Sequence, residues 1–357
     1  MSAKLIHRQS IGATCATVLG ALALSLSFAG NALAHGVTLK MQHTQAGDSA
    51  FNRLFVEPWK QKIYDESGGR VNILLTPAGE PGSAPDLFQL AQDRGADIVW
   101  LTLPGASGEF PRFGLFGAAL PGVTSTGSSR ALWSWSDVND LGFREFKELR
   151  ILAASRHDAP VFHLREKQVA SIADLQGLTI GIPNKDGADF LAAIGVNPMV
   201  ISGYDMRKAL TDASVDGVLL SWSSLVTLGL EDTVKAHVEA PAGAPWAYAE
   251  VSALLMNPNA YRSLADDLKQ VVRGNSGSDT SAWIGKVFDE SAAKAREAAA
   301  ARGATVNALP DADKAAWVEA ADAAIGARVK ALDERRLRGE KTVAKARTII
   351  NENDPAQ

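Results

Sequence analysis

The chain has 357 residues, with 36 lysines and arginines against 40 aspartates and glutamates, a formal net charge of −4, and one cysteine. This modest acidic charge gives no support to nucleic-acid binding. A chain of this length favours two lobes over a single hydrophobic core.

The N-terminus has the pattern of an export signal. Lys4 and Arg8 precede an apolar stretch over residues 11–28, and Ala32-Leu33-Ala34 supplies the small-x-small site that signal peptidase cuts. We therefore predict a signal peptide over 1–34, cleavage after Ala34 and a periplasmic location. Cys15 lies at the start of the apolar stretch without the context of a lipoprotein site.

The mature chain, residues 35–357, has 323 residues and no cysteine, and its charge is −6 because only Lys4 and Arg8 are lost. The missing cysteine excludes thiol catalysis and any cysteine-ligated metal. After residue 34, no stretch approaches the roughly 20 apolar residues of a membrane span.

The first half of the mature chain alternates strands and helices. Strands are predicted at 37–41, 71–75 and 98–103, and amphipathic helices at 51–63 and 83–94, followed by a loop and a further helix. This alternation is typical of an α/β sheet with parallel strand pairs.

The alternation continues in the second half and then gives way to helix. Residues 278–302 predict one long helix with Ile284, Phe288, Ala292 and Ala295 on one face and Gly303 as its stop. Residues 311–348 predict charged helix, and residues 346–357 a frayed tail. Before these helices, the pattern predicts strands at 150–155, 161–165, 178–182, 215–220 and 251–256 and helices at 188–194 and 205–213.

Four stretches in register resemble one family. They are ESGGRV with TPAGEPGS at 66–83, RGADI at 94–98, IADLQGL through IP at 172–183, and LAAIGVNP through AL and VDG at 191–217. The family is that of the extracytoplasmic solute receptors of TRAP (tripartite ATP-independent periplasmic) transporters, also described as dicarboxylate-binding-protein-like. The resemblance covers residues 37–335.

This resemblance implies a two-lobed α/β periplasmic binding protein fold with a ligand cleft between the lobes and a long bracing C-terminal helix. It places the strand crossovers near Asp158 and Trp246, so that lobe I comprises 35–157 plus 246–285 and lobe II comprises 158–245 plus 286–345. It implies a monomer that captures a small organic molecule, an organic acid by the habit of the family, and delivers it to the membrane subunits of a TRAP permease.

The sequence departs from the family at its ligand contacts. The family holds a carboxylate with an arginine two residues before the conserved proline, because a guanidinium matches a carboxylate with two parallel hydrogen bonds. Here that position is Gly181, a second family arginine aligns with Pro160, and the family's asparagine aligns with about Leu220. A neutral, cationic or aromatic solute is therefore the alternative to an organic acid.

Six residues are candidates for ligand binding. Arg156, with His157 beside it, is the nearest replacement for the missing arginines, since both follow the strand at 150–155. Three tryptophans at strand ends predict apolar walls for a flat ligand. The predicted ligand-binding residues are Arg156, His157, Trp100, Trp222, Trp246 and Gly181.

The remaining patterns argue against catalysis and cofactors. His43, His157 and His163 have no metal-ligand spacing, and neither a nucleophile elbow nor a phosphate-binding glycine loop occurs. We predict no enzyme activity, no metal and no cofactor. A periplasmic sensor that presents its ligand to a receptor kinase or another partner remains a second hypothesis.

Overall fold

The computed structural model describes residues 36–355 except 44, 46, 77–85, 104–107 and 148. The predicted signal peptide and its cleavage site lie outside these residues. Within them, no helix combines the length and the apolar character that crossing a membrane requires.

Eleven strands and twelve α-helices make up the described part of the chain. The strands are β1 (Val37–His43), β2 (Val71–Thr76), β3 (Ile98–Leu103), β4 (Arg150–Arg156), β5 (Pro160–Leu164), β6 (Thr179–Ile182), β7 (Asn197–Val200), β8 (Gly217–Ser221), β9 (Ala236–Glu239), β10 (Val251–Met256) and β11 (Thr305–Ala308). The helices are α1 (Glu57–Glu66), α2 (Leu87–Gln92), α3 (Ser125–Val138), α4 (Leu141–Arg144), α5 (Ala188–Ala193), α6 (Gly203–Thr211), α7 (Trp222–Thr227), α8 (Pro258–Ser263), α9 (Asp266–Gly274), α10 (Ser278–Ala301), α11 (Lys314–Glu334) and α12 (Gly339–Asn353).

The strands form two sheets. The first has the order β2-β1-β3-β10-β4, with β10 antiparallel to both neighbours, and the second has the order β11-β9-β5-β8-β6-β7, with β5 antiparallel to β8 and β9. All six residues of β10 are buried, because helices cover both faces of its sheet. This two-sheet α/β architecture confirms the predicted fold class.

The chain changes sheet between β4 and β5, between β9 and β10 and, by way of α10, between β10 and β11. The first two crossovers run side by side, since the backbone N–H of His157 donates to the carbonyl of Glu250 over 2.9 Å. They include the predicted crossover points, Asp158 and Trp246.

The long helix predicted at 278–302 is α10, and Gly303 follows it with a left-handed φ of +82°. Its first half packs on α3 and β4 beside the first sheet, and its second half reaches α7 and β11 beside the second. Ile284 and Phe288 are buried among residues of the first sheet, and Ala295 among those of the second. The helix therefore braces both parts, as expected.

The predicted frayed tail from residue 346 is wrong as far as Asp354. Ala346, Ile349 and Ile350 are buried in α12, which packs on α3. The buried Asp354 carboxylate accepts hydrogen bonds from the backbone and hydroxyl of Thr124, among other groups at the start of α3. The charged sequence of this segment does not predict these contacts, because they are made with residues more than 200 positions away.

Candidate functional site

A chain of polar side chains crosses the first sheet where β3 and β4 end and β10 begins. Thr102 is exposed at this edge, and its hydroxyl lies 3.1 Å from the Oγ of the fully buried Ser252. Ser252 Oγ lies 2.9 Å from Nε2 of His157. The carboxyl ends of parallel strands are the edge at which open α/β sheets bind ligands, so we call Thr102, Ser252 and His157 the donor chain of the cleft floor.

His157 is buried, and its ring is held by two contacts. Its ring stacks on Phe288 of α10 with centroids 4.1 Å apart, and Nε2 contacts Ser252. Nδ1 has no hydrogen-bond partner among the described residues, and the nearest carboxylate oxygen, Oε2 of Glu250, is 3.9 Å away. Burial lowers the pKa of His157, while the charge of Glu250 opposes that shift, so the ring is neutral at pH 7.

The start of α7 meets the first two crossovers. The hydroxyl of Ser223 donates to Asp158 in the first crossover, and that of Ser224 donates to Glu250 in the second over 2.5 Å. Ser221 caps the helix by accepting from the backbone N–H of Ser224. Burial raises the pKa of Asp158 to about 7, against the opposing effect of the hydrogen bonds from Ser223.

Aromatic rings continue from His157 into the first sheet. Phe288 stacks on Phe51 at 6.1 Å, and Phe51 stacks on Trp100 at 4.6 Å. His43 meets the edge of Phe51 at 6.2 Å. Buried aromatic rings of the core therefore continue the stacking that begins at His157.

Arg156 has a structural role, which corrects the expectation that it grips an acidic ligand. The guanidinium is fully buried, donates to the carbonyls of Pro121 at 2.7 Å and Leu120 at 3.0 Å, and lies 4.2 Å from the ring centroid of Trp246. Burial lowers its pKa to about 9, so it stays protonated at neutral pH. Its two terminal nitrogens donate to the backbone, whereas Nε has no hydrogen-bond partner among the described residues.

The three candidate tryptophans do not form one wall, contrary to expectation. Trp100 is 1% exposed inside the core of the first sheet. Trp222 packs in a separate core under the second sheet, where it contacts His163 and His237, and Trp246 covers Arg156. A position at the end of a strand determines at which edge of the sheet a side chain lies, but not from which face of the sheet it projects.

Gly181 lies within β6, where a side chain has little room. A Cβ atom at this position would lie 3.0 Å from Cδ1 of Ile201 and 3.2 Å from Cγ1 of Val218. Apolar side chains therefore occupy the space next to Gly181 that an arginine at this position would need.

The histidines considered for a metal are distributed over separate contacts. His163 pairs with His237, with 2.7 Å between their Nδ1 atoms, whereas His43 contacts Asn52. In the described part of the chain, no group of three or more histidine, cysteine or carboxylate residues is arranged to hold a metal ion.

The sequence interpretation named His157 but missed the groups that surround it. Thr102, Ser252 and Glu250 lie next to strand ends in the sequence, and the run SWSS at 221–224 begins at the last residue of a buried strand. Polar residues at the carboxyl end of a strand are the sequence feature from which these groups could have been predicted.

Comparison with known proteins agrees with this architecture. Residues 42–329 match the family model DctP, described as bacterial extracellular solute-binding protein, family 7. The chain belongs to this family. The resemblance drawn from the four sequence motifs is thereby confirmed, and the chain is a solute-binding receptor of the TRAP class.

Solved TRAP solute-binding proteins share the fold over nearly their whole length. One from Rhodoferax ferrireducens, in complex with copurified benzoate, is 30% identical, with a TM-score of 0.81 over 89% of this chain and 98% of its own. One from a marine metagenome, specific for aromatic acid ligands and bound to 3-hydroxybenzoate, is 27% identical, with a TM-score of 0.83 over 90% and 99%. One from Bordetella bronchiseptica, with bound (R)- and (S)-mandelate, is 25% identical, with a TM-score of 0.77 over 88% and 99%.

Proposed function

We propose that this TRAP receptor captures a small aromatic carboxylate on the cleft floor and hands it to the membrane permease, the role of its family. The observation that carries the proposal is the donor chain, which ends at the exposed hydroxyl of Thr102. A carboxylate needs hydrogen-bond donors for its oxygens. Thr102 is the exposed end of the donor chain, and His157 joins it to Phe288.

The structures in complex with benzoate, 3-hydroxybenzoate and mandelate support the same ligand class, because each of those ligands is an aromatic monocarboxylate. Gly181 bears on the number of carboxylates, since the position that grips a carboxylate in much of the family carries no arginine here and offers no cation to a second acid group. We therefore expect no binding of aliphatic dicarboxylates.

A thermal-shift panel tests the ligand class. Benzoate, 3-hydroxybenzoate and mandelate are compared with benzamide, benzylamine and succinate. A ligand at 100 times its dissociation constant stabilises the native state by about 2.7 kcal/mol, which gives a clear shift in melting temperature. Stabilisation by the three acids and none by succinate is the expected result, and the reverse order refutes the proposal.

An aromatic amine is the second candidate, and a specific observation favours it. Two carboxylates, Asp158 and Glu250, lie at the first two crossovers, and carboxylates attract cations. Stabilisation by benzylamine without stabilisation by benzoate would select this alternative.

We infer that the ligand leaves the protein unchanged. Ser252, His157 and Glu250 follow the order of a hydrolytic triad, but Ser252 is fully buried, and the 3.9 Å between Nδ1 of His157 and Glu250 exceeds a hydrogen bond. Chromatography of benzoate and of phenyl acetate after prolonged incubation should recover both intact. Formation of phenol above the rate without protein would contradict the inference.

We also propose that the mature protein begins at His35 after export and that its lobes comprise 35–157 plus 246–285 and 158–245 plus the helices that follow 285. The export pattern of residues 1–34 supports the first part, and the crossovers between the sheets support the second. Mass spectrometry of the periplasmic protein should give the mass of 35–357. An uncleaved or lipid-modified N-terminus would overturn the assignment.

A further inference from the structure

The described residues of the cleft floor expose no cation to a ligand. Arg156 is fully buried, with its terminal nitrogens on backbone carbonyls and its Nε without a hydrogen-bond partner, and burial keeps His157 neutral. A carboxylate that leaves water without a compensating charge costs several kcal/mol. An acidic ligand on this floor therefore requires a positive charge that the ligand-free protein does not display.

The geometry of His157 identifies where that charge can form. In the tautomer with its proton on Nε2, the ring donates to Ser252 and Ser252 donates to Thr102, which leaves the proton of the exposed Thr102 hydroxyl free for a ligand. Nδ1 is then left with a lone pair that points to no donor in the described structure and has the Glu250 carboxylate 3.9 Å away. This arrangement is unfavourable until a proton arrives on Nδ1, which turns the contact into an ion pair.

We propose that an acidic ligand is captured together with one proton from solvent, which is held on Nδ1 of His157 between Glu250 and the donor chain that ends at Thr102. The inference rests on the proposed function, because it requires the ligand to be an acid. No covalent bond of the ligand forms or breaks. The donor chain connects the protonated ring to the ligand. Each hydrogen bond in it polarises the next, so the charge of the ring strengthens the donation from Thr102.

The other charged groups near His157 already have partners. Asp158 follows it in the chain and accepts from Ser223, and Asp289, next to the stacked Phe288, accepts from the backbone N–H groups of Ser125 and Thr126. Arg156 precedes it and donates to the 120–121 carbonyls. Glu250 is bonded to one serine hydroxyl, and so keeps acceptor capacity for a protonated Nδ1.

Calorimetry with benzoate measures the proton directly. Titrations near pH 7.5 in phosphate and in Tris differ in observed enthalpy by the protons taken up multiplied by the difference in buffer ionisation enthalpy. We expect uptake of about one proton, and a dissociation constant that rises by up to about tenfold per pH unit above pH 7, because each unit of pH changes proton availability tenfold.

His157→Gln keeps a donor near Ser252 but cannot be protonated, so it should bind benzoate weakly, with no uptake and no pH dependence. His237→Gln makes the same chemical change at a buried histidine of the second sheet and should keep the uptake. If His157→Gln fails to fold, Glu250→Gln provides the test, because its neutral amide can donate to Nδ1 and should reduce the uptake.

Benzoate binding with no proton uptake in the parent protein overturns this inference and leaves the proposed function standing. Proton uptake that survives in His157→Gln assigns the proton to another group and also overturns the inference. Loss of that uptake in Asp158→Asn would then assign the proton to Asp158. Failure of benzoate, 3-hydroxybenzoate and mandelate to bind at any pH rejects the proposed function itself.

Discussion

Replacing Arg156 with alanine should reduce stability far more than ligand affinity. The substitution leaves the carbonyls of Leu120 and Pro121 without their donors, now at 3.0 and 2.7 Å, and opens a void beneath Trp246. Each hydrogen bond from a charged donor contributes roughly 1.5–3 kcal/mol, so we expect the loss of the two to cost about 3–6 kcal/mol. For a protein of this size, that lowers the melting temperature by on the order of 10 °C.

Urea unfolding followed by circular dichroism measures the stability of Arg156→Ala, and calorimetry with benzoate at a temperature where the variant is folded measures its affinity. The matched control is Arg130→Ala, which removes an arginine whose side chain is 47% exposed on α3 and should change stability by less than about 0.5 kcal/mol. An affinity within about threefold of the parent is expected for Arg156→Ala. Unchanged stability together with a loss of affinity of about 2–5 kcal/mol, the range for removing one partner of a buried charge pair, would refute the structural role.

Three further predictions concern single positions. Gly181→Arg should lower the melting temperature without strengthening benzoate binding, because even its Cβ would lie 3.0 Å from Ile201; a calorimetric gain in acid affinity would contradict this. Asp354→Ala should lower the free energy of unfolding in urea by about 1–3 kcal/mol, since it removes the acceptor for Thr124, whereas a truly frayed tail would show no change. Asp158 has a folded pKa of about 7, above its unfolded value, so its contribution to stability should fall as the pH rises from about 4 to about 7; urea unfolding of the parent relative to Asp158→Asn should show that decline, and a constant difference would contradict it.

The sequence alone determined the fold class and the main elements, because these depend on local patterns. The continuous apolar run at 251–256 predicts a buried strand, and the helical spacing that ends at Gly303 predicts α10. Short strands escaped this interpretation. β7, for example, has four exposed residues, and pairing with β6 makes it a strand where no local alternation does so.

Only the tertiary structure decided the site. Arg156 and His157 are adjacent in the sequence, yet successive side chains of an extended chain project to opposite faces. The side chain of Arg156 therefore contacts the backbone around residue 120, and that of His157 contacts Phe288 on α10. Ser252 and Thr102 become neighbours of His157 through strand register, since residues 102 and 252 are paired across β3 and β10. The sequence places groups at the edge of a sheet, but the partner strands and helices determine which of them come together, because those contacts join residues 95 to 230 positions apart.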